Sequence, residues 1–216
     1  MAKVQLEELR LRVKRSKWRM EDEHSHHADG AFASVRERVL ARDNQTCLFC
    51  GFRSPKWQEV HHVNDNHADN KESNLATVCP LCHSVQHIGF AGSRGATLIW
   101  WPEISQSDFN HLLRTIWIAI AFGDDSLKSK AKNLHSLIEH RRQYVLTMFG
   151  TDSPVDVANA MLHMPEDQLA RADEALSGVR LMLSAAPFED QIAFWANTVY
   201  REIQPETWSD LVRETK

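Results

Sequence analysis

Cys47-Leu-Phe-Cys50 and Cys79-Pro-Leu-Cys82-His83, with 28 residues between the two cysteine pairs, are the stretch on which the fold of this 216-residue chain turns. They hold all four of its cysteines. Each Cys-x-x-Cys forms a tight turn that aims two thiolates at one point, and two such turns complete the closed tetrahedral four-thiolate site of a structural zinc ion. Disulfides are one alternative, but they need a secreted context, and the N-terminus has no apolar signal segment. A redox dithiol is the other, and it leaves the second pair unexplained. Zinc on Cys47, Cys50, Cys79 and Cys82 is the expectation.

Working outward, Phe32, Val35, Val39 and Leu40 stand at helical spacing, so a short helix over 31–42 leads into the first turn. Residues 57–63 read as a strand. The polar run 64–74 has no apolar periodicity and reads as a loop. The second cysteine pair opens a helix, with Pro80 in its first turn and Gly89 as its stop. The expected order is therefore strand, loop, helix. Upstream, alternating Leu9, Leu11 and Val13 suggest a strand within 4–20, and His24, His26 and His27 lie in a polar stretch that reads as an exposed loop.

Downstream, 96–101 reads as a second apolar strand stopped by Pro102, and Ser105 with Asp108 starts a long helix. Phe109, Leu112, Leu113, Ile116, Trp117 and Ile120 follow i, i+3, i+4, i+7 spacing. Gly123 and Gly150 separate further helices, Ser153-Pro154 caps another, Pro165 opens the next, and Pro187 begins a last one over 187–203. The fold class is α+β: a zinc-stapled module over 1–104, then a helical half over 105–216, with one core shared between them left open. Trp117 and Trp195 serve either as core residues or as anchors for a partner helix.

Composition sets outer limits. With 43% apolar and 25% charged residues the chain is globular, and its longest apolar run, 116–122, is far short of a membrane span. A cytoplasmic location without membrane insertion is expected. Net charge is -4, which excludes a strongly basic non-specific nucleic-acid binder. Lys3, Arg10, Arg12, Lys14, Arg15, Lys17 and Arg19 nevertheless make the first 20 residues basic, whereas the C-terminal half is net acidic.

A second group lies among the cysteines: Glu59-Val-His61-His62-Val63, then Ser73-Asn74-Leu75, then His83 directly after Cys82. On a strand His61 and His62 point to opposite faces, so one can bind a metal ion while the other stays outside its ligand set. The ordered group resembles the HNH (ββα-metal) nuclease motif braced by two Cys-x-x-Cys pairs. That resemblance implies His62 as general base, His61 and His83 as ligands of a catalytic divalent ion such as Mg2+ or Mn2+, and Asn74 as the residue holding the loop. An imidazole of pKa near 6.5 suits a base at neutral pH. Against activity, residues 31–95 are nearly balanced in charge and offer little grip on phosphates.

A wider resemblance runs from about residue 9 to residue 203. It rests on Asp43-Asn-Gln-Thr-Cys47-Leu-Phe-Cys50-Gly-Phe52 and Gly95-Ala-Thr-Leu-Ile-Trp-Trp-Pro102-Glu-Ile-Ser-Gln106, and it is to the IcmJ (DotN) family of type IVB secretion systems. It implies a cytosolic zinc protein of a coupling complex. Such a protein binds the C-terminal segment of the membrane-associated coupling ATPase and other coupling-complex subunits, is recruited by them to the inner membrane, and helps present cargo or DNA. Two readings stand: an adaptor that uses an HNH-like fold as scaffold, and a metal-dependent HNH endonuclease cleaving DNA with His62 as base. The adaptor accounts for residues 96–216.

Overall fold

Helix α1 (Ser25–Arg42) delivers the chain to the first cysteine turn in the computed structural model, which describes residues 4–13 and 25–201. The helix is longer than its apolar spacing predicted. His26 and His27 lie within it rather than in a loop, because Ala28, Ala31 and Ala33 are strong helix formers that outweigh Gly30. His24 falls outside the described residues. Beyond the cysteine turn, strands β1 (Glu59–His62) and β2 (Leu75–Val78) pair antiparallel, Glu59 opposite Val78 and His62 opposite Leu75. Strand β2 corrects the expected order of strand, loop, helix. All four of its residues are buried, so its sequence shows no alternation to read.

A buried clasp sets this sheet against α1. Arg42 forks onto Asp43 through two hydrogen bonds of 2.8 Å and also donates to the carbonyls of Glu72 and Leu75. Asp43 in turn accepts the Thr77 N–H at 3.0 Å.

Helix α2 (Pro80–Val85) begins directly after Cys79, with Pro80 in the first turn. It ends at Val85, and α3 (Ile88–Ser93) follows, so the single helix expected to stop at Gly89 is two. The N-terminal segment docks at the break: Arg12 N–H donates to the Val85 carbonyl at 3.0 Å and Ile88 N–H to the Arg12 carbonyl at 3.2 Å. Those two bonds form no ladder, so residues 4–13 are not in a strand, although Leu9 and Leu11 are buried, and the remainder of the strand expected within 4–20 falls outside the described residues. Gly89 lies inside α3, where a Cβ would stand 3.1 Å from Ala158 Cβ. It admits a neighbouring helix instead of stopping its own.

The second sheet pairs β3 (Thr97–Trp100) with β4 (Val179–Met182), Thr97 opposite Met182 and Trp100 opposite Val179. The C-terminal half is therefore helical but not wholly so, as its apolar pattern had implied. Helix α4 (Gln106–Phe122) starts as expected, the Ser105 hydroxyl accepting the Asp108 N–H at 3.0 Å. Helices α5 (Asp125–Glu139), α6 (Arg142–Phe149), α7 (Pro154–His163) and α8 (Leu169–Ala175) follow. The last among the described residues, α9 (Glu189–Asn197), is shorter than the 187–203 expected: a 3-10 turn over Ala186–Phe188 precedes it, and Ile203 falls outside the described residues.

One hydrophobic cluster joins these parts, from Leu9 and Leu11 through Leu81, Val85 and Leu98 to Phe109, Leu181 and Trp195. Trp117 and Trp195 are 3% and 0% exposed, which makes them core residues and overturns their reading as surface anchors.

Candidate metal centres

The first cysteine turn is closed by two main-chain bonds, Cys47 N–H to the Phe52 carbonyl at 2.9 Å and Gly51 N–H to the Cys47 carbonyl at 2.8 Å. Gly51 takes φ +74°, a left-handed conformation that glycine adopts without steric cost. Leu48 N–H donates to the Thr77 carbonyl at 2.8 Å, which docks this turn on β2. The second pair comes from the start of α2, with Cys79 as its N-cap in extended conformation. As a result the four sulfurs lie within 4.8 Å of one another. Cys50 Sγ and Cys79 Sγ are 3.8 Å apart, too far for a disulfide, and all four thiols are unbridged. The cluster could hold one metal ion, and four sulfurs converging from two such turns fit structural zinc.

A second group forms beside it. The ring nitrogens of His61 on β1, His83 on α2 and His87 at the start of α3 also lie within 4.8 Å of one another. His83 Nε2 and His87 Nε2 are 3.1 Å apart, while His83 Nδ1 is hydrogen-bonded to the Glu59 carboxylate. Glu59 and His61 share a face of β1 because the side-chain period of a strand is two. His62 takes the other face. Its Nε2 is 2.9 Å from Asn70 Oδ1, and its ring stacks on Phe32 at 5.4 Å. Both faces reach a cleft of about 370 Å³ lined by Phe32, Glu59, His62, His83, His87 and Arg94.

No model of a known protein family matches the chain. Over 201 residues, 91% of this chain and 92% of the relative, it is 31% identical to the type 4 apparatus protein DotN of Legionella pneumophila. The chain belongs to the DotN family.

In this DotN-family chain the sequence-predicted site residues divide between the two clusters and the loop. Cys47, Cys50, Cys79 and Cys82 converge, as do His61 and His83. Asn74 binds neither group and pins the 64–74 loop: its Nδ2 donates to Asn64 Oδ1 at 2.8 Å and to the Asp69 carbonyl at 2.9 Å, and its Oδ1 accepts the Asn64 N–H at 3.0 Å. His87 was missed. Its signal was spacing, since it stands four residues after His83, the interval that brings side chains to one side of a helical turn.

Arg114 was also missed, and it tests whether the cysteine set fits a metal. This arginine is fully buried, yet among the described residues no carboxylate lies within ion-pair distance of it. Instead Nη2 donates to Cys79 Sγ at 3.6 Å, and the guanidinium lies 3.6 Å from the centroid of the Phe52 ring. Burial opposes its charge, but attraction to the Cys79 sulfur raises its pKa. Without a metal ion, burial pushes the Cys79 thiol well above its ordinary range, whereas the hydrogen bond with Cys47 holds Cys50 well below it. The guanidinium aimed at Cys79 Sγ suits a metal-bound thiolate there, because a coordinating thiol is deprotonated outright. The surroundings of the cluster therefore suit an anionic metal–thiolate centre.

Proposed function

We propose that the chain is a zinc-braced adaptor of a type IV secretion or conjugation coupling complex. The observation that carries this reading is the 31% identity to the type 4 apparatus protein DotN across 91% of the chain. Zinc on the four cysteines fixes the fold and does no chemistry. The adaptor works in the cytoplasm and reaches the inner membrane through its partner; among the described residues no helix is long and apolar enough to cross a membrane. Its partner is the C-terminal segment of the coupling ATPase, together with other coupling-complex subunits, and residues 96–216 contribute most of the docking surface. In support, that half exposes large apolar side chains at helical spacing, Leu134 with Leu137 on α5 and Tyr144 with Met148 on α6. Co-purification of the full chain with the ATPase segment tests the proposal. Leu137→Asp with Tyr144→Asp should abolish recovery, and His62→Ala should leave it unchanged. Recovery of DNA but no ATPase segment would overturn it.

The convergence of His61, His83 and His87 beside His62 favours a second reading, an HNH-type endonuclease with a divalent ion on the histidine cluster. When bound, that ion stabilises charge developing on a phosphodiester. The Glu59 carboxylate, hydrogen-bonded to His83 Nδ1, would favour the tautomer in which Nε2 can hold a metal ion together with His61 and His87. Asn70 Oδ1, 2.9 Å from His62 Nε2, is an acceptor that would hold the ring in place when Nε2 carries the proton, and His62 is the general base of this reading. Three imidazoles suit a transition ion such as Zn2+ or Ni2+ better than the Mg2+ or Mn2+ expected from the motif. Plasmid nicking with each ion, wild type against His62→Ala, tests this. Equal cleavage by both proteins would remove His62 from the chemistry.

A further inference from the structure

Gln106, Asn110 and Arg114 stand at i, i+4 and i+8 of α4, hence on one side of that helix, and are 3%, 0% and 0% exposed. A fully buried polar stripe along a helix needs a partner, and here each member has one. Asn110 Nδ2 donates to Cys82 Sγ at 3.4 Å, and Arg114 Nη2 to Cys79 Sγ at 3.6 Å. Gln106 Nε2 donates to Asn110 Oδ1 at 2.9 Å and to the Leu181 carbonyl at 3.1 Å, while its Oε1 accepts the Leu181 N–H at 2.8 Å. We infer that this stripe is the outer shell of the cysteine metal centre and ties the ion to the second sheet.

The direction of the relay is fixed at every step. Leu181 N–H can only donate, so it orients the Gln106 amide with Oε1 towards β4. That leaves Nε2 to face Asn110, which must present Oδ1 to it and therefore turns Nδ2 onto the sulfur. Nothing in the chain of bonds can reverse without opposing two donors or two acceptors. Arg114 adds the only full positive charge in the stripe, held between the sulfur and the faces of Phe52 and Trp195 at 3.6 and 5.2 Å. Four thiolates on a divalent ion carry a net charge of about -2, and these two donors lower the electron density on two of the sulfurs. The stripe thus stabilises the metal-loaded state over the empty one, and the anionic thiolate centre in turn offers the buried guanidinium a counter-charge.

The inference rests on the cysteines holding an ion, and the experiment separates the two claims. Zinc affinity of the full chain is measured by competition with a chromophoric chelator, and the sulfur-to-metal charge-transfer band is recorded after Co2+ substitution. Arg114→Gln and Asn110→Ala should each weaken zinc binding by about 10–100-fold, the usual cost of removing an outer-shell partner. The band should move to longer wavelength as the thiolates become better donors, and Arg114→Lys should restore most of the affinity. A role in packing alone would not move the band. Wild-type affinity within twofold and an unshifted band in both variants would overturn the relay while leaving the metal centre intact. Failure of the wild-type chain to bind zinc or cobalt would overturn the centre itself. If the variants do not fold, hydrogen exchange in the wild type decides: stripping the metal should expose the Leu181 amide, and unchanged protection there would refute the coupling.

Discussion

Asp43 is a carboxylate with no exposure to solvent, held by the forked Arg42 guanidinium and the Thr77 amide. Burial works to raise its pKa, but the Arg42 and Thr77 hydrogen bonds outweigh burial and the value falls below the ordinary 3.8. A carboxyl whose folded pKa is depressed contributes stability that is fully present above the unfolded value and is lost as pH falls through the folded one. Replacing it by Asn leaves Arg42, with a side chain only 7% exposed, without its counter-ion, which costs about 3 kcal/mol at pH 7 for a broken buried pair. Urea unfolding of wild type and Asp43→Asn at pH 7 and again near pH 3 checks this, and the gap between them should narrow at the lower pH. Legibility at this scale followed spacing. The cysteines and His83 declared themselves because their chemistry needs fixed intervals. Asp43, just past α1, and Asn110 and Arg114 within α4 did not, since a charged or amide residue in or beside a helical pattern reads as solvent-facing until the groups that bury it are known.

Pairing of β3 with β4 depends on a glycine at the strand entry. A Cβ at Gly178 would stand 2.3 Å from Trp100 Cη2, and Trp101 N–H donates to the Gly178 carbonyl at 2.9 Å, so the backbone cannot draw away from the indole without losing that bond. Gly178→Ala should therefore cost about 1–3 kcal/mol as an overpacked contact and lower the melting temperature by several degrees in a calorimetric scan. Helix α4 was legible from the sequence because a cap, an apolar stripe and a terminal glycine agree over 17 residues. The strands β2 and β4 were not. Each is four residues long and buried on both faces, so neither shows the alternation that distinguishes a strand from a turn of buried helix. Helix α9 was overextended for the opposite reason: apolar spacing continued through Val199, whereas the main chain leaves helical geometry at Thr198, where φ is -127° and ψ is -75°.

At the scale of the whole chain, residue 104 separates two kinds of sequence without separating two cores. Leu81, Val85 and Leu98 belong to the same hydrophobic cluster as Phe109, Leu113, Leu181 and Trp195. A fragment comprising 1–104 would keep the four cysteines but lose β4, the partner of β3, and with it the pairing of Thr97 through Trp100. It would also lose Asn110 and Arg114 from beside the sulfurs and uncover Val85 and Leu98, both fully buried in the intact chain. A two-stranded sheet with α1 and the short helices α2 and α3 buries too little apolar surface to fold alone, and the zinc that would compensate has then lost its outer shell. The full chain should accordingly unfold in a single transition, at a temperature that falls when a chelator removes the metal. The 1–104 fragment should give a poorly dispersed amide NMR spectrum even with zinc in excess. A well-dispersed spectrum from that fragment would mean that the cysteine module folds by itself, and that the helical half is an addition to it rather than part of its core.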